Sequence, residues 1–302
     1  MKDLKTPKQL KKEGWKGLNL QKEPFETRSL TNSAFTACAW ALALLAAIPL
    51  FSIVAMLLKN GGSRLISAEF LSVLSDLPPA GFEAGGGIGP AIVGTLVMVG
   101  IASAIAIPLG ILTAVSIKML DSGSILARAA HFIAKVLTGF PSILAGVFVY
   151  AILVVHFGYS AVAGGVGLAV LMLPTVIIAT EEALGQVPKR MTDAAFGMGC
   201  TRTQVMWKIT LPTALPSIMT GVMLAVAGAA GESAPLLFTA LFSNYYLSSL
   251  SEPTASLSVL IFNFSGMPFE NQIELAWTAS LVLVIIVLIL NIIARAIGRK
   301  KF

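Results

Sequence analysis

The sequence is poor in charged residues. Asp, Glu, Lys and Arg make up 12% of its 302 residues, which is about half of the roughly 25% usual for a soluble domain. Hydrophobic residues make up 56% and occur in long uninterrupted runs, which a lipid-facing surface explains and a water-facing surface does not. The shortage of charge therefore excludes an ordinary soluble domain and indicates a polytopic, all-α membrane protein.

Cysteine and histidine are also scarce. Cys38 begins the first apolar run, Cys200 lies in a distant polar stretch, and neither has the spacing of a metal ligand. We expect both to be small packing residues and expect no disulfide between them. No glycine-rich loop ends in Lys-Ser or Lys-Thr, the pattern that holds nucleotide phosphates. The sequence predicts no catalytic centre and no metal or cofactor bound by this chain.

Six apolar runs are long enough to cross a hydrocarbon layer of about 30 Å, which takes roughly 20 helical residues. We therefore predict a six-helix transmembrane domain over residues 35–302, preceded by a basic arm over residues 1–34. The predicted spans are Phe35–Leu58, Ala91–Ile117, Thr138–Phe157, Ala161–Thr180, Ala214–Leu241 and Leu275–Ile297.

The distribution of basic residues predicts the orientation of these spans. Every Lys and Arg except Lys59 and Arg64 falls in the two termini or in alternate loops. The positive-inside rule places those segments in the cytoplasm, together with both termini and the loop over residues 181–213. The net charge of +6 is then explained by topology, and we set nucleic-acid binding aside.

The loop over residues 181–213 contains a candidate docking helix. Thr192 can cap a helix that begins at Asp193, whose carboxylate suits the positive end of the helix dipole. Ala194, Ala195 and Gly199 would leave a thin surface that the groove of a partner protein could accept, and Pro212 marks a turn into the fifth span. An ordinary connecting helix at the membrane surface explains the same residues equally well.

Glu232 is the one acidic residue deep in a predicted span. An ionised carboxylate there costs roughly 2.5–3.5 kcal/mol on insertion scales, so it must face the bundle interior, a wet cavity or a partner. Three roles remain open: a protonated donor to a passing anion, a partner for a cation on another chain, or a structural link between helices. A secondary transporter or channel that uses Glu232 as an ion site is an alternative of a different class.

Two motifs resemble a known family. Asp193-Ala194-Ala195, Gly199 and Leu211-Pro212 are spaced as in the EAA loop of ABC importer permeases, with Asp in place of the first Glu. The stretch Gly231-Glu232-Ser233-Ala234-Pro235-Leu236-Leu237-Phe238-Thr239-Ala240 resembles the GETAPLLFTA signature of PstA-type phosphate permeases. The sequence is identified on these residues as a member of that family.

The resemblance implies a type I ABC importer permease bundle in the cell inner membrane, with a cytoplasmic coupling helix. It implies coupling to the ATPase through Asp193, Ala194, Ala195, Gly199, Leu211 and Pro212, and a translocation path near Gly231, Glu232, Ser233 and Pro235. It also implies four kinds of partner: a homologous PstC-like permease, two ATPase subunits that hold the ATP, an external phosphate-binding protein and the lipid bilayer.

The sequence departs from the family pattern at two positions. Gly228 and Gly185 stand where PstA-type permeases usually carry arginine. Because arginine recognises phosphate oxygens by paired hydrogen bonds, the missing cation beside Glu232 has to come from another chain. Another oxyanion or a phosphonate remains an alternative substrate.

Overall fold

The computed structural model describes residues 27–66, 70–77, 86–120 and 124–298, and all regular secondary structure in these ranges is helical. The chain divides into two units, one up to Ala55 and the other from Met56 onward. Most of the basic arm, residues 1–26, lies outside the described residues. The rest of the arm is helical, since the first helix begins at Thr27.

Ten helices are numbered here in chain order. They are α1 Thr27–Met56, α2 Gly89–Met119, α3 Ile125–Thr138, α4 Ser142–Phe157, α5 Ala161–Gly185, α6 Lys189–Gly197, α7 Arg202–Gly231, α8 Ala234–Thr239, α9 Leu257–Ser265 and α10 Glu270–Gly298. Further helical turns follow α1 over Leu57–Gly61 and Gly62–Ile66, and a short 3₁₀ turn occupies Phe70–Leu74.

Five described helical segments are long and apolar enough to cross a membrane, and a sixth span results if α3 and α4 are counted as one broken segment. The structure therefore has five or six candidate spans, against the six that were predicted. Several bounds differ from the predicted ones: α5 continues to Gly185, and the predicted loop over residues 181–213 accordingly begins inside that helix.

A sharp bend lies at the start of the third predicted span. The helices α3 and α4 meet at an angle of 107°, where Pro141 is the residue before the first turn of α4 and has an extended ψ of 126°. Proline lacks a backbone N–H and disfavours a helical residue before it, so the helix cannot run straight through. The segment before the bend is the separate helix α3 of 14 residues.

The fifth span begins and ends earlier than predicted. Thr201 and Gln204 form a capping box that starts α7 at Arg202, and Pro212 lies within this helix rather than at a turn. A widened turn over Met206–Thr210 precedes Pro212 and accommodates its ring. The helix ends at Gly231 because the ring of Pro235 would clash with the carbonyl four residues earlier.

The main core lies between α2, α5 and α7. Its largest fully buried side chains are Met98, Leu168, Met172, Val176, Ile218 and Val222. Other parts of the chain approach α2 closely at Gly94, Ala106 and Gly110, which are buried. They do not approach it at Gly100, which has open space around it, or at Ala104, which is exposed.

Gly94 and Gly100 offer a matched pair for testing this packing. A Cβ at Gly94 would collide with the carbonyl oxygen of Ala255, whereas a Cβ at Gly100 would meet nothing within 4 Å. We expect Gly94→Ala to destabilise the chain by about 1–3 kcal/mol and Gly100→Ala to be neutral or stabilising by up to about 1 kcal/mol. Thermal unfolding midpoints of the purified protein in detergent measure both, and equal midpoints would contradict the packing described here.

Candidate functional site

A cavity of ≈ 360 Å³ lies beside α6, where α2 and α5 end and α7 begins. Its wall includes Lys118 from α2, Asp193 and Phe196 from α6, and Arg202 from the first turn of α7. The cavity thus brings the carboxylate of Asp193 into the same space as three cations, those of Lys118, Arg202 and Lys189 at the start of α6. The short helix α6 thus lies next to the ends of α2 and α5 and the start of α7, with a partly open cavity between them. Another protein can bind to such a surface.

The docking helix begins earlier than predicted. Pro188 precedes its first residue, Lys189, and the predicted capping residue Thr192 lies inside the helix, where its Oγ1 donates a hydrogen bond of 2.8 Å to the Lys189 carbonyl. Proline outcompetes threonine as a start signal because its fixed φ suits a helix entry and it pushes the preceding residue out of helical conformation. Asp193 is consequently in mid-helix.

The two alanines of the predicted thin surface face opposite ways. Ala194 is exposed, whereas Ala195 is 1% exposed. Met191 and Met198 are exposed as well, so Met191, Ala194 and Met198 form an apolar stripe with the i, i+3, i+7 spacing of one helix face. Sequence reasoning overlooked both methionines, although their spacing was visible.

The remaining predicted coupling residues are divided between two elements. Gly199 has a φ of +84°, a conformation that glycine adopts without strain, and it reverses the chain after α6. Leu211 is half-buried and Pro212 is exposed; both lie in α7, about two and a half turns after its start. The structure therefore places Asp193, Ala194 and Gly199 together and sets Leu211 and Pro212 apart from them.

Glu232 lies at a break between two helices, so the prediction that it sits inside a span is wrong. It follows the last residue of α7 with an extended ψ of 125°, and α8 begins two residues later. Gly231 is exposed, Glu232 and Ser233 are half-buried, and Pro235 is buried. A Cβ added at Gly146 of α4 would come within 2.7 Å of the Pro235 Cα, so α8 packs closely against α4.

A network of buried hydroxyl groups supports this break. Ser258 Oγ donates a hydrogen bond of 2.9 Å to the Glu232 carbonyl, and Ser256 Oγ lies 3.2 Å from Ser258 Oγ. Thr95 Oγ1 in α2 accepts a hydrogen bond of 2.8 Å from the backbone N–H of Leu257. We call Thr95, Ser256 and Ser258 the hydroxyl network; it joins α2, the start of α9 and the break after α7.

The hydroxyl network was not predicted. Its one sequence signal is the alternation of Thr254, Ser256 and Ser258 with small and apolar residues just before an apolar run. Hydroxyl side chains in such a pattern can cap a helix while they are buried. Ser256 is buried, and its Oγ caps α9 by accepting a hydrogen bond from the N–H of Val259.

The carboxylate of Glu232 stands apart from this network. Across the described part of the chain, no side chain donates a hydrogen bond to it or pairs with it. Gly228, one turn earlier on α7, is exposed, and a Cβ added there would meet nothing within 4 Å. Open space thus lies beside α7 one turn before Glu232, and a side chain from outside this chain can enter it.

No group of three or more His, Cys, Asp or Glu residues in the described ranges is arranged to hold a metal ion. Cys38 and Cys200 are both free thiols.

Residues 106–302 match the family of binding-protein-dependent transport system inner membrane components. The chain belongs to this family. The matched region contains both the docking helix and the break at Glu232, so the two sites described above lie in the part of the chain that defines the family.

Curated relatives extend the match. The chain is 38% identical to the phosphate transport system permease protein PstA of Yersinia pestis, over 78% of this chain and 80% of that protein. It is 36% identical to the probable phosphate transport system permease protein PstA of Methanocaldococcus jannaschii, over 86% of this chain and 91% of that protein. The predicted resemblance to PstA-type permeases is confirmed, and the relatives are permeases rather than enzymes.

Solved structures show the same fold at lower identity. An inward-facing MetNI methionine ABC transporter covers 69% of this chain, with 93% of its own chain matched, at a TM-score of 0.57 and 22% identity. A bacterial alginate ABC transporter in complex with its periplasmic protein covers 93% of this chain, with 100% of its own chain matched, at a TM-score of 0.64 and 15% identity. The predicted fold, a type I ABC importer permease, is confirmed.

The hydroxyl network yields a second matched test on α2. Thr95 and Thr113 both donate to the carbonyl four residues earlier, but only Thr95 also accepts the N–H of Leu257. Thr95→Val leaves that buried N–H without a partner, so we expect it to cost about 1–3 kcal/mol of stability, and we expect Thr113→Val to cost much less. Thermal unfolding in detergent compares the two; similar losses would show that the hydrogen bond to α9 contributes nothing.

Proposed function

We propose that this chain is a transmembrane permease subunit of an ATP-driven importer that translocates inorganic phosphate. The observation that carries the proposal is the similarity to phosphate permeases over most of the chain, because it includes the segment that forms the break at Glu232. The family membership disfavours a secondary transporter, which needs no docking helix. Another oxyanion or a phosphonate remains the alternative within the class.

We propose further that α6 is the coupling helix and docks in a cleft of a cytoplasmic ATPase. The apolar stripe of Met191, Ala194 and Met198 supports this, since a helix lays such a face into a groove of its partner. Asp193 lies beside this stripe in mid-helix, and Gly199 directly follows its last residue. Leu211 and Pro212 lie within α7, and this helix transmits a movement of α6 to the break at Glu232.

The assembly that we propose contains a second, PstC-like permease, two ATPase subunits that bind the ATP and an external phosphate-binding protein. This chain itself binds no cofactor in the proposal. Both termini and the segment with α6 lie in the cytoplasm of a cell with an inner membrane, as the distribution of Lys and Arg indicates.

The translocation path in this proposal runs past Gly231, Glu232, Ser233 and Pro235. Glu232 orients an arginine supplied by the second permease, so that one polar gate is shared by two chains. The open space beside Gly228 and the exposure of Leu224 one turn earlier support an approach by a neighbouring helix along this face of α7. A guanidinium paired with a carboxylate can then present its remaining donors to a phosphate oxygen.

Coupling through α6 is tested by enlarging its exposed alanine. Ala194→Leu adds bulk on an exposed position, so we expect normal stability of the chain and a loss of ATP-dependent phosphate uptake of about tenfold or more, equivalent to at least ~1.4 kcal/mol of docking free energy. Ala104→Leu, an exposed position of α2, is the matched control and is expected to transport normally. Normal uptake by Ala194→Leu would remove α6 from the docking surface.

The role of Glu232 is tested by uptake of radiolabelled phosphate into vesicles that contain the reconstituted complex. We expect Glu232→Gln and Glu232→Ala to lose about tenfold or more of the uptake rate, because truncating one member of a buried charge pair costs roughly 2–5 kcal/mol. Glu252→Gln, whose exposed carboxylate accepts a hydrogen bond from Ser248 Oγ, is the control.

Competition by unlabelled anions in the same assay decides the substrate. Inhibition by arsenate but not by sulfate or a phosphonate supports phosphate, since arsenate shares its charge and tetrahedral shape. Preferential inhibition by sulfate or a phosphonate would assign the alternative substrate, and wild-type rates in both Glu232 variants would remove Glu232 from the path.

A further inference from the structure

A second cavity, of ≈ 440 Å³, lies between α3 and the ends of α2, α5 and α7. Three cationic side chains line it: Lys118 from α2, Arg128 from α3 and Arg202 from α7. Neither the proposed translocation path nor the docking stripe of α6 uses Arg128. The cavity therefore needs its own explanation.

The acidic residue in the cavity wall is already engaged. Glu181 of α5 lies with its Oε2 2.6 Å from His131 Nδ1 of α3, and both side chains are partly buried. This pair fixes α3 against α5 and directs the carboxylate toward the histidine. Glu181 therefore contacts His131, and the other charged side chains of the cavity wall are Lys118, Arg128 and Arg202.

The face of α3 next to the cavity is apolar and exposed. Ile125, Phe132 and Val136 are 78%, 67% and 54% exposed, and with Ala129 they follow the i, i+4, i+7, i+11 spacing of one helical stripe. Arg128 stands at the border between this stripe and the cavity. An exposed apolar stripe with cations beside it is the pattern of a helix that lies in the membrane interface.

The bend before α4 gives α3 the direction that such a helix needs. Because α3 and α4 meet at 107°, α3 lies close to the membrane plane when α4 crosses the membrane. Its apolar stripe then faces the acyl chains, and Arg128, Lys118 and Arg202 lie at the depth of the phospholipid head groups. Basic pockets between transmembrane helices on the cytoplasmic side bind anionic head groups.

We propose that this cavity binds the phosphodiester head group of an anionic phospholipid, with the acyl chains lying along the apolar stripe of α3. The site is distinct from the proposed phosphate path, and the proposal does not depend on which solute the complex transports. A phospholipid accounts for the charge of the cavity and for the exposed stripe beside it, whereas a free phosphate ion accounts for the charge alone.

Lipid binding to the intact complex in neutral detergent tests the proposal. Phosphatidylglycerol is titrated onto delipidated complex and counted by native mass spectrometry. We expect Arg128→Gln to weaken the tightest site roughly fivefold, the contribution of one cation near anionic lipid, and Arg128→Lys to retain most of the affinity. Lys135→Gln removes an exposed cation of the same helix outside the cavity wall and is expected to change little.

Three outcomes would overturn the proposal. They are equal affinities of Arg128→Gln and Lys135→Gln, equal binding of phosphatidylcholine and phosphatidylglycerol, and displacement of the lipid by millimolar inorganic phosphate, which would assign the cavity to free anions. If Arg128→Gln does not assemble, the salt dependence of binding to the unaltered complex serves instead. Affinity for phosphatidylglycerol that falls with salt supports the charged site, and affinity independent of salt excludes it.

Discussion

The requirement that backbone polar groups find partners away from water governs this molecule. It is most demanding where α7 stops at Gly231 and the chain turns into α8, because a helix end leaves carbonyl and N–H groups unpaired. Ser258 satisfies the Glu232 carbonyl, and Thr95 satisfies the N–H of Leu257. Side chains from two other helices, α2 and α9, thus stabilise the break. Because the break sets the position of α8, it also allows α8 to pack against Gly146 of α4.

The composition of the spans could be predicted from hydropathy and charge alone, and the third span was predicted to begin at Thr138, close to the bend before α4. The break at Glu232 could not be located in this way, because the apolar residues continue through Pro235 and a sum over the run treats it as one helix. Pro235 is the local signal of that break. What no local rule supplies is the direction of the chain afterwards, such as the bend of 107° before α4, since that direction is set by packing against α5 and α8.

The two sites could not be predicted equally well, because only the segment of α6 has a local sequence pattern. The segment of α6 has a local signature, so its existence followed from the sequence, but Ala194 and Ala195 are chemically identical and only tertiary packing decides that Ala195 is buried. The hydroxyl network joins residues 162 positions apart in its longest link. A contact between such distant residues leaves no periodic pattern in either segment, and Thr95 reads as one more small residue in an apolar helix.

The arrangement of α5, α6 and α7 determines which parts of the chain a movement of α6 can displace. Only three residues separate Gly185 at the end of α5 from Lys189 at the start of α6, so a force on α6 acts on α5 as well as on α7. These two helices are in close contact where Gly221 of α7 meets Ala179 of α5. The 30 residues of α7 form a rod of about 45 Å. Pro216 removes one backbone hydrogen bond within that rod, but the helix continues to Gly231, and Glu232 is the position at which the chain leaves the direction of the rod.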